Sequence, residues 1–292
     1  MNFQAGIIDG LPTVARFLSF QLIAGEDPTD ALGRLPDLVD GTTTVAGIGP
    51  ATLGRIDASI PGLHEPPCLE GKGVSIPATP AALWLWLRGS DRGELIHRAR
   101  GLEAALDDSF QLDAVTDSFV YEEGRDLSGY VDGTENPTGA AANKAALVSG
   151  SGPGMDGSSF VAVQEWVHDL AGFESFEPKQ RDEIIGRRIK DNSEIEHAPK
   201  SAHVKRTAQE DFDPEAFVLR RSMPWCDRTA EGLMFVAFGH SFNAFEALLR
   251  RMVGLDDGVV DGLFRFTEPT TTSYFWCPPM TGTGLDLRAL NL

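Results

Sequence analysis

The first half of the chain alternates between strand-like and helix-like patterns of apolar residues. From Leu95 to Leu106, apolar residues recur at helical spacing on one face and predict a helix. The run ALWLWL places bulky apolar residues on both faces of a strand. The pattern predicts strands at residues 15–23, 44–48, 82–87 and 110–121, and helices at residues 28–39 and 94–106.

The second half repeats this order of elements without repeating the sequence. Strands are predicted at residues 160–167, 216–223, 233–242 and 264–276, and helices at residues 178–189 and 242–252. Each half therefore has the order β-α-β-β-α-β, which is typical of the ferredoxin-like unit. The predicted fold class is α+β, with two ferredoxin-like halves in tandem and antiparallel sheets, similar to a dimeric α+β barrel.

A glycine-rich segment, VSGSGPGMDG from Val148 to Gly157, separates the two halves. We therefore predict an N-terminal half at residues 1–147 and a C-terminal half at residues 158–292.

Composition adds constraints on partners and on location. The formal net charge of -18 disfavours nucleic acid and anionic lipid as partners. The cysteines Cys68, Cys226 and Cys277 are far apart and form no CxxC pair, which argues against a disulfide framework, a zinc ribbon and covalent c-type haem attachment. No signal-like N-terminus and no run long enough to span a membrane is found, so we expect a cytoplasmic protein without a membrane partner.

The segment GYVDGTENP, from Gly129 to Pro137, holds one carboxylate in a turn rich in Gly, Asn and Pro. Asp-Gly is a turn signal, and Asn before Pro favours an extended or turn conformation. Asp132 is therefore either a turn residue that caps its own backbone or a carboxylate fixed in place for chemistry. The stretch alone leaves both interpretations open.

The segment KSAHVKR, from Lys200 to Arg206, has four Lys, Arg or His residues in an acidic chain, and should attract an anionic ligand group. His203 is either a surface histidine or a metal ligand, since imidazole suits iron, copper and zinc. No second histidine stands at a recognised ligand spacing, which argues against a multi-histidine zinc site. A haem needs only one axial histidine, so that alternative stays open.

Two further stretches, AFVLRRSMPW and GLMFVAF, read as strands. Strand alternation places Arg220 on the face of Val218 and Arg221 on the other, so an inward arginine needs either a structural ion pair or an anionic substrate. The second strand is apolar on both faces. Its residues Leu233 and Phe235 either pack in the core or line an apolar cofactor pocket.

Together these stretches resemble the dye-decolorising peroxidases, a family of haem peroxidases. The family's GxxDG motif stands at Gly129 to Gly133, its axial-histidine segment at Ala202 to Arg206, and its distal-arginine strand at Val218 to Pro224. The helix FNAFEALLRRMVG and the ending LFRFTEPTTTSYFWCPP are similar as well. The likeness covers nearly the whole chain, and the compact length is most similar to the smaller bacterial subgroup.

The resemblance implies a non-covalent b-type haem with His203 as the proximal ligand of the iron, carried by the C-terminal half. It also implies Asp132 as the acid–base group and Arg220 as the cation that stabilises charge on the peroxide. Ser222, on the predicted strand face of Arg220, would place a water or a hydrogen bond. A carboxylate base titrates at lower pH than a histidine base, so an acidic optimum for dye oxidation is expected.

The family pattern also points to Asp261 as the carboxylate that accepts the other ring N–H of His203, with Asp256 and Asp257 as nearby alternatives. Leu233 and Phe235 would form the apolar distal wall. The cations expected near the haem propionates are Lys200, Lys205 and Arg206, with Arg187 or Arg188.

The implied reaction is the reduction of hydrogen peroxide with oxidation of dyes or phenolic and other aromatic donors. The resemblance further implies a homo-oligomer, whereas the short segment after Pro279 gives no support for a shell-targeting tail. The alternatives are a haem-binding protein without activity, or a deferrochelatase-like or chlorite-dismutase-like haem enzyme on the same architecture.

Overall fold

Strands and short helices follow one another along the chain in the computed structural model, which describes residues 2–282 and 284–292. The strands of the first half are β1 (Val14–Leu22), β2 (Thr44–Ile48), β3 (Leu69–Glu70), β4 (Ser75–Ile76), β5 (Leu83–Gly89) and β6 (Phe110–Phe119). Those of the second half are β7 (Ser159–His168), β8 (Leu219–Arg220), β9 (Met223–Cys226), β10 (Glu231–Gly239), β11 (Thr267–Pro269), β12 (Ser273–Cys277), β13 (Met280–Thr281) and β14 (Gly284–Leu285).

The α-helices are α1 (Ala5–Ile8), α2 (Thr29–Leu38), α3 (Pro50–Arg55), α4 (Arg92–Leu106), α5 (Gly139–Ala146), α6 (Leu170–Glu174), α7 (Pro178–Ile185), α8 (His203–Arg206) and α9 (Asn243–Met252). Short 3-10 helices lie at Gln209–Asp211, Gly262–Arg265 and Arg288–Leu290. None of the helices in the described residues has the length and apolar character needed to cross a membrane.

The main sheet closes into a barrel. Its ring runs β7-β12-β2-β5-β1-β6-β9-β10, and β10 pairs back to β7. The first half supplies β2, β5, β1 and β6, and the second supplies β12, β7, β10 and β9, with antiparallel pairing throughout. This topology confirms the predicted tandem of ferredoxin-like halves with antiparallel sheets.

The two halves meet at two narrow seams in the ring. Trp276 pairs with Ile48 at one seam, and Ser118 pairs with Trp225 at the other. The division at residues 1–147 and 158–292 stays a prediction, and limited proteolysis within the segment that links the halves would test it.

Each barrel strand has an inner face and an outer face, because side chains alternate along a strand. The inner faces build one apolar cluster, in which Phe17, Trp84 and Trp86 are stacked. The outer faces build a second cluster, against which α2, α4 and α9 pack their apolar sides. The helices therefore lie outside the barrel, and aromatic side chains fill its interior.

The predicted elements match the structure where local periodicity decides, and β2 has the predicted bounds. The predicted helix at 178–189 ends at Ile185, because Gly186 adopts a left-handed conformation with φ 93° that ends the helix. The predicted strand at 216–223 was placed too early. It starts at Leu219 and continues through β9 in one register against β10, with Arg220 opposite Ala237 and Met223 opposite Met234.

The prediction of one continuous last strand at residues 264–276 was wrong. Its first residues belong to the 3-10 helix Gly262–Arg265, and the remainder is divided between β11 and β12.

Candidate active site

A pocket of about 1000 Å³, partly open to solvent, lies outside the barrel against β7 and β10. Strand alternation turns Gln164, Trp166 and His168 of β7 toward it, together with Leu233 and Phe235 of β10. Helix α9 covers it from the other side with the buried residues on its apolar face. The further apolar lining residues are Val131, Ile185, Val218, Phe245, Leu248, Leu249, Met252, Leu263 and Phe266.

His203 borders this pocket from the first position of α8. Its Nδ1 lies 2.8 Å from Oδ2 of Asp261, which is 1% exposed. The other oxygen of Asp261 accepts the backbone N–H of Leu263 at 2.9 Å, so the carboxylate caps the 3-10 helix and is fixed in direction. A carboxylate acceptor places the proton on Nδ1, and Nε2 of His203 is then left with a lone pair for a ligand.

Asp132 and Arg220 border the same pocket as His203. The turn around Asp132 needs glycine on both sides, because Gly129 has φ 87° and Gly133 has φ 77°. Oδ1 of Asp132 accepts the backbone N–H of Gly133 at 2.7 Å and lies 3.8 Å from Nη2 of Arg220. The carboxylate and the guanidinium thus stand side by side and both reach the pocket.

The side chain of Asn136 ties the turn of Asp132 to the strand of Arg220. Its Oδ1 accepts the backbone N–H of Arg220 at 2.8 Å, and its Nδ2 donates to the carbonyl of Arg220 at 3.0 Å. The sequence pattern predicts Asn136 only as a turn residue. Its side chain instead pairs with the backbone of Arg220 as a neighbouring strand would, so the positions of Asp132 and Arg220 are coupled.

Arg221 points away from Arg220. Its guanidinium donates to the carbonyls of Ile7 and Ile8 at 3.1 and 2.6 Å. Burial, and the nearby charge of Arg88, lower the pKa of Arg221 to about 10. Of the two arginines on this strand, Arg220 is therefore the one that faces the pocket.

Ser222 does not line the large pocket in the described part of the chain. It borders a smaller cleft of about 690 Å³, which Asp132 and Arg220 also line. Its hydroxyl oxygen accepts the backbone N–H of Val236 at 3.4 Å, which leaves the hydroxyl proton for a group in the cleft. Ser222 is thus near Asp132 and Arg220, one compartment away from His203.

The cations predicted to lie near the haem propionates do not lie together in the structure. Arg206 is 4% exposed and donates to both oxygens of Asp257 at 2.8 and 2.7 Å, and to the carbonyl of Arg251. The hydrogen bond from Arg206 lowers the pKa of Asp257 to about 2. The expectation that Arg206 contacts a cofactor is therefore not supported, because its guanidinium is used in this structural pair.

Lys205 and Arg187 line a cavity that adjoins the large pocket and shares His203, Asp132 and Arg220 with it. There Lys205 pairs with Glu194, and Arg187 pairs with Glu135 and with Glu194. Lys200 and Arg188 are not among the residues that line either space in the described chain.

A pair that the sequence analysis missed, Asp126 and His168, also borders the large pocket. Nε2 of His168 lies 3.0 Å from Oδ2 of Asp126, and Nδ1 lies 2.6 Å from the hydroxyl oxygen of Thr267, which itself donates to the carbonyl of Val167. Burial opposes ionisation of Asp126, but hydrogen bonds from His168 and Ser128 lower its pKa overall. Both ring nitrogens of His168 are thus engaged, one with a carboxylate and one with a hydroxyl.

A second missed contact involves Tyr130. Its hydroxyl donates to Oδ1 of Asp182 at 2.6 Å, and burial together with that carboxylate raises the pKa of Tyr130. No local sequence pattern predicts either pair, because the partners are 42 and 52 residues apart in the chain.

Comparison with known proteins places this pocket in a family context. The family model for the Dyp-type peroxidase C-terminal region matches residues 123–282. The dye-decolorizing peroxidase of Mycobacterium tuberculosis is 29% identical over 291 residues, which is 93% of this chain and 87% of the relative.

Among solved structures, the encapsulated DyP-type peroxidase of Mycobacterium smegmatis has a TM-score of 0.85 and 27% identity, covering 93% of this chain and 94% of that one. A variant of DypB from Rhodococcus jostii RHA1 in complex with haem shares the fold at TM-score 0.85 and 23% identity, covering 93% and 95% of the two chains. With the family model matching more than half of its length, the chain belongs to the Dyp-type peroxidase family.

Proposed function

We propose that the chain is a haem b-dependent peroxidase that reduces hydrogen peroxide and oxidises dyes or phenolic and other aromatic donors. The observation that carries this proposal is the meeting of three groups in one pocket: His203 with a free Nε2, the carboxylate of Asp132 and the guanidinium of Arg220. Family membership and the haem-bound structural relative support the same conclusion.

The residues of the pocket fit a haem. Of the two histidines that border the pocket, His168 has both ring nitrogens engaged with Asp126 and Thr267, so His203 is the one that offers a ring nitrogen to a metal. No group of three or more potential metal ligands occurs in the described residues, so a bare metal ion would lack partners. The lining is mainly apolar, as a porphyrin requires. Lys205 and Arg187 line the adjoining cavity, which Arg206 does not, and we assign them to the propionates, which would replace Glu194 and Glu135 as their partners.

Nε2 of His203 would bind the haem iron, with Asp261 holding the Nδ1–H of His203 and making the imidazole more electron-rich. The bound iron would supply the electrons that cleave the O–O bond of the peroxide. Asp132 takes the proton from one peroxide oxygen and returns it to the other, which leaves as water. Arg220 stabilises the negative charge that develops during this transfer.

The neighbouring side chains support this proton transfer. Asn136 keeps the guanidinium of Arg220 beside the carboxylate through its two bonds to the backbone. Leu233 and Phe235 reduce the water content of the pocket, which strengthens every charge interaction inside it. Ser222 is positioned to hold a water in the smaller cleft next to Asp132.

A haem-storage protein, a deferrochelatase-like enzyme and a chlorite-dismutase-like enzyme are less well supported. A storage protein has no use for a carboxylate and a guanidinium placed side by side at the edge of the pocket. Family membership points to peroxide as the oxidant and to an organic reductant.

The test is reconstitution of the purified chain with haem, followed by absorption spectroscopy and a dye-oxidation assay with peroxide. Wild-type protein should bind one haem and oxidise the dye, whereas His203→Ala should lose the normal haem spectrum. His197→Ala is the matched control, because this histidine is exposed and near in sequence. An unchanged haem spectrum in His203→Ala would refute the ligand assignment, and a haem-loaded chain without peroxide-dependent oxidation would refute the activity.

We also propose a homo-oligomer in the cytoplasm, to be tested by light scattering and by fractionation. Packaging in a protein shell is a property of the Mycobacterium smegmatis relative. For this chain it would be tested by co-purification with a shell protein.

A further inference from the structure

The turn that carries Asp132 is anchored to strand β7 near its start, through the side chains of Asp126 and His168. Nε2 of His168 lies 3.0 Å from Oδ2 of Asp126. The other oxygen of this carboxylate accepts the backbone N–H of Ser128 at 2.8 Å and also the hydroxyl of Ser128. One carboxylate thus joins the wall of the barrel to the beginning of the turn.

The backbone transmits the position of Asp126 to Asp132. The carbonyl of Asp126 accepts the N–H of Gly129 at 2.8 Å, and its own N–H donates to the carbonyl of Tyr130 at 2.9 Å. The N–H of Asp132 in turn donates to the carbonyl of Gly124 at 3.0 Å. Because Gly124 and Asp126 belong to one short stretch of chain, a displacement of Asp126 also displaces the groups that hold Asp132.

The contact between His168 and Asp126 joins a rigid element to this turn. The neighbouring residue of β7, Val167, pairs with Gly232 of β10 on one side and with Glu268 of β11 on the other, so the strand is fixed at this point. The side chains of His168 and Asp126 are shielded from water, with 5% and 14% of their surfaces exposed. Charge attraction between them is therefore stronger than it would be at the surface.

The surroundings of His168 accommodate two protonation states of its ring. Nδ1 lies 2.6 Å from the hydroxyl oxygen of Thr267, which lies 3.0 Å from the carbonyl oxygen of Val167. In the charged ring, Nδ1–H donates to the hydroxyl, and the hydroxyl donates to the carbonyl. In the neutral ring with its proton on Nε2, the hydroxyl turns its proton toward Nδ1. The two states differ in the charge that Asp126 meets.

Asp126 is the carboxylate that responds first to this charge, since in the described residues it is the one within ion-pair distance of the ring. The other charged residues around His168 border a surface cleft on its far side and are Asp169, Arg265 and Glu268. On the pocket side, the titratable and charged residues are Asp132, Arg220 and His203. A change of charge on His168 therefore acts mainly on its contact with the turn.

We propose that His168 is a positioning residue for Asp132, and that loss of its proton sets the alkaline limb of the activity's pH profile. This inference rests on the proposed peroxidase function. Protonated His168 forms an ion pair with Asp126 and holds the turn so that Asp132 stays beside Arg220. Neutral His168 keeps the hydrogen bond but loses the charge attraction, so the turn loosens as the pH rises.

A second titrating group is needed for an optimum of pH. A carboxylate base acts only when it is deprotonated, so by itself it gives a rate that rises with pH and then levels off. A rate that falls again at higher pH requires a group that acts only when it is protonated. Histidine is the side chain that ordinarily changes charge between about pH 5 and 8. Asp132 and His168 together therefore give an acidic optimum with a limb on each side.

The first test measures the anchoring itself on the haem-free protein. Hydrogen exchange of the backbone amides of Gly129 and Asp132, corrected for the intrinsic effect of pH, would be compared at about pH 5 and about pH 8. Protection in the wild type should be about fivefold lower at the higher pH. His168→Gln places an amide N–H where the Nε2–H lies and carries no charge, so its protection should not change with pH.

The second test measures the rate constant for peroxide by stopped flow on the haem-loaded protein across the same pH range. In the wild type this constant should fall by about fivefold above the optimum, and in His168→Gln the alkaline limb should be absent. Tyr130→Phe removes the bond to Asp182, an anchor of the same turn, so it should lower the rate and keep the limb. His97→Gln, on the exposed face of α4, should match the wild type.

The outcomes separate this inference from the proposed function. Protection that does not change with pH in the wild type, or an alkaline limb that persists in His168→Gln, would overturn the role of His168. A haem-loaded chain without peroxide-dependent oxidation refutes the peroxidase function, and hydrogen exchange then still decides whether His168 holds the turn. Asp126→Asn is the second variant if His168→Gln does not fold, because it keeps the acceptor for Ser128 and removes the negative charge.

Discussion

The side chain of Asn136 is the cross-link between the acid and the guanidinium of the pocket, and Asn136→Ala removes it. Two hydrogen bonds to the backbone of Arg220 are lost, each contributing about 1 kcal/mol, so the free energy of unfolding should fall by about 2 kcal/mol. The entropy of unfolding is about 2.1 cal/mol/K per residue, so for 292 residues the expected drop in Tm is about 3 °C.

The same variant should slow the reaction with peroxide, because Arg220 is no longer held beside Asp132. We expect a loss of about tenfold in the second-order rate constant, part of the 10²–10³-fold that removing a charge-stabilising group costs. Stopped-flow absorbance of the haem-loaded protein measures the rate, and differential scanning calorimetry measures Tm. Thr134→Ala is the matched control in the same turn, since Thr134 bonds only Asn192 among the described side chains.

A double-mutant cycle separates positioning from mere stability. In an Arg220→Ala background the backbone bonds of Asn136 persist, so Asn136→Ala should still lower Tm. It should have no further effect on the peroxide rate, because the guanidinium it positions is gone. If the rate falls equally in both backgrounds, or if Tm is unchanged in either, the reasoning about this cross-link is wrong.

Three other substitutions probe the site and its surroundings. Asp132→Asn should lower the peroxide rate constant by about 10²–10⁴-fold, since the amide cannot accept the proton; an unchanged stopped-flow rate would remove Asp132 from the mechanism. Asp261→Asn should raise the reduction potential of the bound iron, because His203 loses its anionic partner; spectroelectrochemistry measures this, and an unchanged potential would contradict the role given to the carboxylate. Arg206 holds the pKa of Asp257 at about 2, below its ordinary value of 3.8, so the pair stabilises the fold above about pH 4, and this stability is lost as pH falls toward 2. Urea unfolding at pH 5, 4 and 3 should therefore show a smaller pH dependence for Arg206→Met, by no more than about 1 kcal/mol because Asp257 is 47% exposed; equal slopes would refute this linkage.

Much of the barrel was predictable, because its strands and helices follow local periods. The strand at 44–48 and the apolar face of α9 are legible from spacing alone. The strand before Arg220 was placed too early for a long-range reason: the backbone N–H of Val218 bonds the side chain of Gln209 instead of a neighbouring strand. No local sequence pattern reveals that a side chain takes the place of a strand as the hydrogen-bond partner.

The candidate site was predictable in its residue types and less so in its contacts. The resemblance supplied His203, Asp132 and Arg220, which the structure brings to one pocket. It also suggested Arg206, whose segment is cationic, but a single sequence does not reveal that Asp257 takes up this guanidinium. The pair of Asp126 and His168 depends on a contact across 42 residues and was invisible for the same reason.

Strands β7 and β10 separate two chambers, the large pocket outside the barrel and a cavity inside the barrel. Trp166 and Phe235 face the large pocket, and Glu165 and Met234 face the cavity inside the barrel. Insertion or deletion of one residue in either strand would turn the side chains beyond that point to the opposite face. The lining of both chambers would then change at once. In evolution or in engineering, each chamber can therefore be altered alone only by point substitution. Changes in length have to be confined to the loops beyond these two strands.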